Sequence, residues 1–195
     1  MSKTEKPHFI LASASPRRKK LLSKAGYKFD IVVSNVDESK ISAEGISSAE
    51  FTRRVALAKA KDVAEKFPDR LIVAADTIVD YEGQIIGKPE DAKHAEEIVR
   101  KLFSKPHKVI TGIAFVKKDA GLEMVDCDIT TVYPKKMTEK QIAEHIASET
   151  WRGKAGAYGI QDGADEFIEK IVGSETNVVG LSMELLEKMF GEISC

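Results

Sequence analysis

Short apolar runs alternate with amphipathic stretches along the chain, and neither internal repeats nor low-complexity linkers interrupt them. The continuous apolar run at 71–75 is typical of a buried strand, which we expect to end at Asp76-Thr77. The run at 9–12 predicts a shorter strand of the same kind. Further strands are predicted around 31–33, 109–116, 124–133 and 167–172, with hairpin turns near Glu82-Gly83 and Asp119-Ala120-Gly121.

Capping residues and glycines mark the amphipathic stretches as helices. Ser15 before Pro16 is typical of an N-cap followed by the first helical residue, and Thr138 with Gln141 forms a capping-box pattern. Helices are predicted at 16–25, 49–66, 90–103, 138–148 and from about 182 onward. Interleaved strands and helices with inserted hairpins predict a mixed-sheet α/β protein. No clear boundary divides the chain, so we expect one domain over residues 1–195.

Charge and composition exclude several classes of protein. The net charge is −1 at pH 7, so the broad positive field that supports non-specific nucleic-acid binding is absent and a local cluster must hold any bound anion. No apolar run approaches the ~18 residues of a membrane-spanning helix, and the polar N-terminus lacks a secretory signal. Cys127 and Cys195 do not form a disulfide or metal-ligand pattern. We expect a cytoplasmic protein that binds neither nucleic acid nor membranes.

The segment Ser13-Ala14-Ser15-Pro16-Arg17-Arg18 places hydroxyls and two arginines where a strand runs into a helix. A helix N-terminus offers free backbone N–H groups and the positive end of a dipole, which disfavours cations there. A bound phosphate would offset this mismatch, because arginine matches phosphate oxygens with bidentate geometry. The alternative is an ordinary helix cap with solvated arginines, and position alone does not decide between them.

Lys59 interrupts an otherwise apolar row formed by Phe51, Val55 and Val63 at helical spacing. An ammonium in such a row either extends to water or meets a carboxylate or phosphate, since burial without a partner is costly. Asp76 follows the predicted buried strand, where α/β sheets place ligand crevices and a carboxylate can hold Mg²⁺. Asp76 could instead cap the next turn.

Three further segments carry candidate residues of lower specificity. The acid pair Asp37-Glu38 follows the strand-like run at 31–33, although paired acids are common on surfaces. In Gly87-Lys88-Pro89, a rigid backbone could hold the lysine as a phosphate-binding cation. The glycine-rich segment 151–163 contains Gln161, whose amide could read a nucleobase edge, and a plain structural loop is an equally good interpretation.

The chain lacks the motifs of several common nucleotide and metal enzymes. Its four histidines show no spacing typical of a zinc site. Neither a P-loop nor a dinucleotide-binding glycine fingerprint occurs. A nucleotide would therefore have to be bound in another way.

Taken in order, the candidate segments resemble the Maf family, the septum-formation-inhibitor-like nucleoside triphosphate pyrophosphatases. The resemblance covers about residues 8–190 and rests on eight segments in register. They are LASASPRR at 11–18, VDE at 36–38, LAKA at 57–60, ADTIV at 75–79, GKP at 87–89, TG at 111–112, GKAGAYGIQ at 153–161 and NVVGL at 177–181. The Ser-Pro-Arg-Arg form and the Tyr-x-Ile-Gln segment are similar to the branch that acts on dTTP and UTP.

The resemblance implies a mixed central sheet flanked by helices, with two lobes around a deep cleft, as in inosine triphosphate pyrophosphatases. It implies hydrolysis of the α–β phosphoanhydride of dTTP or UTP to the monophosphate and pyrophosphate, with Mg²⁺ or Mn²⁺ as cofactor. It also implies a homodimer. Two alternatives stay open: the same chemistry on 7-methyl-GTP or non-standard purine triphosphates, and a weakly catalytic nucleotide-binding regulator of cell division.

Residue roles follow from the same resemblance. The phosphates would be bound by Ser13, Arg17 and Arg18, and the triphosphate charge would be neutralised by Lys59 and Lys88. Glu38 and Asp76 would hold the metal and the attacking water, with Asp76 as general base. Gln161 would help to define the base pocket. Asp162 follows it where many members have glycine, which leaves the preferred base open.

Overall fold

Strands and helices alternate along the chain in a computed structural model that describes residues 6–160 and 165–193. The strands are β1 (Phe9–Leu11), β2 (Phe29–Ile31), β3 (Ile72–Tyr81), β4 (Gln84–Ile86), β5 (His107–Lys117), β6 (Leu122–Pro134) and β7 (Ile168–Val172). The helices are α1 (Pro16–Lys24), α2 (Ser48–Ala64), α3 (Ala92–Leu102), α4 (Glu139–Ala147), α5 (Glu175–Val179) and α6 (Met183–Ile193). Short 3-10 turns include Glu38–Lys40 and Ala155–Ala157.

The strands of the described residues form one sheet in the order β2-β1-β3-β5-β6-β7, with β4 beside β3. Strand β1 runs parallel to β2 and β3, and the other pairs are antiparallel. The predicted mixed α/β fold is therefore confirmed. Within the described residues, every helix is too short or too polar to cross a membrane.

The core divides into clusters at the two ends of β3. At its start, alternate side chains face opposite sides: Ile72 packs on the side of α2, and Val73 packs on the side of α1 and α6. At its end, Val79 joins a third cluster with Val99 of α3 and Trp151. One sheet therefore carries two lobes, as expected, and the polar residues of β3 lie between them.

Strand β3 does not end at Asp76-Thr77, so that prediction is wrong. The strand continues to Tyr81, because β5 pairs with it along 72–80 and sets Asp76 opposite Gly112 and Thr77 opposite Thr111. Consecutive strand residues point to opposite faces, so the two polar side chains reach different partners without interrupting the ladder. Asp76 is therefore a mid-strand residue and not a turn cap.

A gap opens along the other edge of β3. Strand β1 pairs there with Ile72 and Val73 only, and β4 pairs with residues 79–81. Since β5 covers the opposite edge throughout, β1 and β4 share one edge and leave residues 74–78 between them. The backbone carbonyl of Ala75 in this gap accepts a hydrogen bond from a side chain, Arg18. The gap is where a ligand can approach the middle of the strand.

Two further elements differ from the sequence predictions. Strand β2 lies at Phe29–Ile31 and not at 31–33, since it pairs residue for residue with β1. Helix α5 was not predicted; at five residues it is too short for apolar periodicity to identify. Its fully buried Asn177 donates to the carbonyls of Val109 and Asp128, which holds α5 against β5 and β6.

Helix α2 crosses β5 at Gly112 with almost no space between the backbones. An added Cβ at Gly112 would lie 2.5 Å from the carbonyl oxygen of Thr52 and 2.9 Å from the amide nitrogen of Arg53. Both neighbours are backbone atoms, which cannot rotate away. The absence of a side chain at Gly112 therefore sets how closely α2, the helix that carries Lys59, approaches the sheet.

We expect Gly112→Ala to lower the free energy of unfolding by about 1–3 kcal/mol, because α2 must shift away from the sheet. Gly191→Ala is the matched control, since an added Cβ there meets nothing within 4 Å and alanine favours the helix. Urea denaturation measures both variants. Equal stability of the two variants would contradict the close approach.

Candidate active site

A cavity of about 340 Å³ lies at the gap along β3. Seven predicted site residues line it: Ser13, Arg17, Arg18, Glu38, Lys59, Asp76 and Lys88. They come from segments up to 75 positions apart in the sequence, between Ser13 and Lys88. Gln161, the eighth predicted site residue, lies outside the described residues, as does Asp162. The fold thus brings every described candidate to one site.

The ammonium of Lys59 lies between the two acidic candidates. Its Nζ is 2.8 Å from Asp76 Oδ1 and 2.8 Å from Glu38 Oε1. The Lys59 and Asp76 side chains are only 13% and 10% exposed, whereas that of Glu38 is 49% exposed. The sequence left two possibilities for the Lys59 ammonium, extension to water or contact with a carboxylate or phosphate. In the structure it contacts two carboxylates.

Local structure explains why these three groups meet. Val55 and Val63, one turn on either side of Lys59 in α2, are fully buried, so the face they share with Lys59 is turned to the sheet. Asp76 points to that same face of β3. Glu38 begins the 3-10 turn Glu38–Lys40, at the rim of the cavity. Burial of a carboxylate without a partner is costly, and Lys59 supplies the opposite charge to Asp76.

Arg18 is buried and bonded to neutral acceptors. Its Nε donates to the carbonyl of Gly180 at 2.8 Å, and its Nη1 donates to the carbonyl of Ala75 at 2.8 Å and to Ser13 Oγ at 3.1 Å. Its Nη2 donates to Thr77 Oγ1 at 3.0 Å. Burial lowers the pKa of Arg18, and the nearby Asp76 carboxylate opposes that shift. Four of its five N–H groups are thus engaged within the protein.

These contacts make Arg18 a junction between three segments: the start of α1, the middle of β3 and the turn after α5. The prediction that Arg18 binds phosphate remains a prediction, with one N–H still available. Arg17 is less committed, since its Nε donates to the carbonyl of Val179 at 3.3 Å and its two terminal nitrogens are not needed for that contact. Both arginines line the cavity.

Ser13 and Ser15 organise the loop that leads into α1. Ser15 is the N-cap, as predicted, and its hydroxyl accepts from the backbone N–H of Arg18 at 3.5 Å. Ser13 Oγ accepts from the backbone N–H of Ser15 at 3.2 Å. Because Ser13 Oγ is an acceptor in this contact and in its contact with Arg18, its own hydrogen is left to donate toward a bound anion.

The sequence did not single out Lys154, which also lines the cavity although it is only 8% exposed. The available signal was a lysine inside a run of small residues, Gly153-Lys154-Ala155-Gly156. With Lys154, five basic side chains of the described residues line the cavity, against the two carboxylates of Glu38 and Asp76. This described lining is therefore cationic in a chain of nearly zero net charge, which suits a multiply charged anion.

The glycine-rich segment is held against the second lobe by a buried pair. The Tyr158 hydroxyl is 2.7 Å from His107 Nε2, and His107 Nδ1 is 3.2 Å from the carbonyl of Leu102. Burial lowers the pKa of His107 to about 4 and raises that of Tyr158, so both groups are neutral at pH 7. His107 thus donates to Leu102 and accepts from Tyr158, and this fixes one wall of the cavity.

A backbone hydrogen bond links this segment to the Lys88 motif. The amide of Gly156 donates to the carbonyl of Gly87 at 3.1 Å. Gly156 has a φ of 74°, and an added Cβ would lie 2.8 Å from the Val79 side chain. Glycine is required there by both conformation and space. Lys88 itself is exposed at the rim of the cavity.

Glu38 and Asp76 are the acidic side chains that line the cavity, and no group of three or more metal-ligating side chains exists among the described residues. Their oxygens lie 2.8 Å from one nitrogen, so they are within twice that distance of each other. Two converging carboxylates beside an anion site fit Mg²⁺ or Mn²⁺, because Mg²⁺ takes one or two carboxylates and completes its shell with waters and substrate phosphates.

Comparisons with known proteins bear on this arrangement. The family described as Maf-like protein matches residues 8–193. A dTTP/UTP pyrophosphatase of Geotalea uraniireducens (strain Rf4) is 46% identical over 178 residues, which cover 91% of each chain. A dTTP/UTP pyrophosphatase of Pyrococcus furiosus is 41% identical over 182 residues, which cover 92% of each chain. A solved structure of a HAM1 protein from Coxiella burnetii aligns with 96% of this chain and covers 98% of its own. The TM-score is 0.48 and the sequence identity is 14%, so this structural likeness is weak.

We expect Arg18→Lys to lower the free energy of unfolding by about 3 kcal/mol, because one ammonium cannot reach the separated acceptors of the guanidinium and leaves buried carbonyls unpaired. Arg17→Lys is the matched control, with an expected change within about 1 kcal/mol. Urea denaturation at pH 7 measures both variants. A destabilisation of Arg17→Lys equal to that of Arg18→Lys would contradict the junction role.

Proposed function

The chain belongs to the Maf family, and we propose that it hydrolyses the bond between the α- and β-phosphates of dTTP and UTP. The products would be the nucleoside monophosphate and pyrophosphate. The observation that carries this proposal is the joint placement of Lys59, Glu38 and Asp76 in a cavity whose other charged lining residues, within the described part of the chain, are basic. Relatives named dTTP/UTP pyrophosphatase at 46% identity support the choice of substrate.

The charge of the cavity supports a triphosphate. Arg17, Lys88 and Lys154 lie around it, and Lys59 lies at its base between the carboxylates. A triphosphate carries several negative charges, which become most concentrated on the pyrophosphate as it leaves. Cations held in a partly water-excluded site stabilise such charge more than they do in water. We infer that these four side chains bind the β- and γ-phosphates.

A divalent cation, Mg²⁺ or Mn²⁺, is part of the proposal. Glu38 and Asp76 would hold it, with phosphate oxygens and water completing its coordination. When bound, the cation offsets the negative charge of the phosphates and of the two carboxylates.

Asp76 is the residue to which we assign the proton of the attacking water. Its Oδ1 receives the contact from Lys59, which leaves Oδ2 to accept a hydrogen bond and then a proton. A positioned general base contributes about 10²–10⁴ in rate. Glu38, which is half exposed at the rim, can turn toward a bound ion more freely than Asp76 can.

The nucleoside would lie against the less polar part of the cavity. The apolar residues that line the cavity include Val33, Val109, Val179 and Ile160, the last of which directly precedes Gln161. The assignment of Gln161 to the base remains a prediction, and so does the effect of Asp162 on the preferred nucleotide. The cytoplasmic location is part of the same proposal, because these nucleotides are cytoplasmic solutes.

We expect Asp76→Asn to fold normally and to lose at least about 100-fold in turnover, since the amide cannot take the proton. Asp80→Asn is the matched control on the same strand. Its carboxylate contacts Ser48 and Gly83 outside the cavity, so turnover should stay within about twofold. Release of pyrophosphate with Mg²⁺ or Mn²⁺ measures both variants.

The same assay distinguishes the substrates when run against dTTP, UTP, CTP, ATP, GTP, ITP and 7-methyl-GTP. Release from dTTP and UTP that Asp76→Asn abolishes would support the proposal in full. Release chiefly from another nucleotide would support pyrophosphate hydrolysis but reject dTTP and UTP as the preferred substrates. Folded wild-type protein that binds nucleotide but releases no pyrophosphate would favour the non-catalytic regulator.

We also propose a homodimer that forms through one face of β6 and β7. Val125, Ile129 and Tyr133 are exposed and lie on the same face of β6, since they are separated by even numbers of residues. Exposed Val172 of β7 joins them, because it pairs with Thr131 of that face. A contiguous exposed apolar face of this kind is typical of an interface.

Ile129→Lys should convert a dimeric wild type into a monomer, because a lysine at the centre of the interface must be buried unpaired. Ile31→Lys is the matched control: Ile31 is 43% exposed, against 45% for Ile129, and lies on β2 at the opposite edge of the sheet. Sedimentation velocity at micromolar concentration measures the mass of each. A monomeric wild type would refute the dimer.

A further inference from the structure

We propose that Lys59 is an internal competitor of the divalent cation, so that the site binds the metal weakly until a nucleotide is present. This inference rests on the proposed function, because it concerns the same metal site. In the structure, the position between the two acidic side chains is taken by the ammonium of Lys59. The nucleotide would relieve this competition by offering the ammonium other acceptors.

The geometry places the ammonium on the oxygens that a metal needs. Lys59 Nζ contacts Asp76 Oδ1 and Glu38 Oε1 at the same distance, 2.8 Å. Each carboxylate oxygen has two lone pairs, so these hydrogen bonds leave one lone pair on each oxygen. A divalent cation held by Asp76 and Glu38 would nevertheless lie beside the ammonium, whose positive charge opposes it, and it would bind weakly unless the ammonium moved away.

No other described cation contacts these carboxylates closely enough to take the place of Lys59. Arg18 lies nearby, but its nitrogens point to the carbonyls of Gly180 and Ala75 and to hydroxyls. Lys88 lines the same cavity, but the described ion pairs of Glu38 and Asp76 are with Lys59. Among the described residues, Lys59 is therefore the cation in direct contact with both carboxylates, while Arg18 acts on them from a greater distance.

Charge explains how this competition couples the metal to the nucleotide. Two carboxylates and one ammonium carry a net single negative charge, whereas the carboxylates alone carry two. A divalent cation that enters beside the ammonium gains less attraction and meets direct repulsion. Phosphate oxygens of a bound nucleotide can accept from Lys59 in place of the carboxylates. The nucleotide then raises the affinity for the metal, and by linkage the metal raises the affinity for the nucleotide equally.

The mobility of the partners favours this exchange. Glu38 is half exposed on a 3-10 turn of three residues, so its carboxylate can leave Lys59 at small cost. Lysine has a flexible stem and a single charged nitrogen, which can turn between acceptors without a fixed orientation. Asp76, which is nearly buried in the middle of β3, is the fixed point around which both cations would exchange.

The test is a titration of Mn²⁺ alone, followed by calorimetry, into wild type, Lys59→Met and Lys88→Met without nucleotide. We expect Lys59→Met to bind Mn²⁺ at least about tenfold more tightly than wild type, because the competitor is gone. Lys88→Met removes a cation of the same cavity that does not contact the carboxylates, and its affinity should equal that of wild type. Lys59→Gln, which keeps a polar side chain, replaces Lys59→Met if the latter does not fold.

The titration is then repeated with a dTTP analogue in which a methylene group replaces the α,β-bridging oxygen, so that cleavage is blocked. We expect the analogue to raise the Mn²⁺ affinity of wild type at least about tenfold and to raise that of Lys59→Met much less. Thermal unfolding gives a second readout: Mn²⁺ should stabilise Lys59→Met more than wild type, since it replaces the lost countercharge.

Equal Mn²⁺ affinities of wild type and both Lys59 variants without nucleotide would overturn the inference. An equal gain in Lys88→Met and Lys59→Met would also overturn it, because general cavity charge would then explain the effect. These outcomes are distinguishable from failure of the proposed function. If Lys59→Met binds Mn²⁺ more tightly but the wild type releases no pyrophosphate from any nucleotide, the competition by Lys59 is supported and the proposed enzymatic function is rejected.

Discussion

Strand β3 carries Asp76 and Thr77 through the middle of the sheet, and much of the molecule is arranged to satisfy these two polar residues. A strand directs neighbouring side chains to opposite faces, so each residue needs its own partner. Lys59 of α2 reaches Asp76 on one face, and Arg18 of α1 reaches Thr77 on the other. The two helices are thereby tied to the same short stretch of strand, next to the gap that becomes the cavity.

The two basic residues serve different ends, because their acceptors differ. Arg18 donates to backbone carbonyls and to a hydroxyl of two other segments, and it therefore joins α1, β3 and the turn after α5. Lys59 pairs with carboxylates, one of which is half exposed. The site thus combines the Arg18 guanidinium, which is held by its hydrogen bonds, with the Lys59 ammonium, which can change its acceptors. That combination suits a highly charged ligand, which needs countercharge without a large change of backbone.

The remaining walls depend on side-chain contacts that hold short segments against the sheet. The His107–Tyr158 pair holds the glycine-rich segment, and Asn177 holds α5. Both contacts join residues at least 50 positions apart, so local sequence patterns do not reveal them. The same reason explains why Lys154 was missed. The small residues beside Lys154 were the local signal, but its burial depends on how the segment around it is folded back.

The sequence by itself determined the types of the elements other than α5, the mixed α/β class and seven of the residues that line the cavity. It could do so because caps, apolar runs and ordered motifs are local signals, and because those motifs together indicated one family. Only the tertiary structure decided that β3 runs through Asp76, that Lys59 pairs with Asp76 and Glu38, and that Arg18 is engaged within the protein. Strand pairs and ion pairs join segments that are distant in the sequence. Which groups meet therefore depends on the complete fold and not on local sequence patterns.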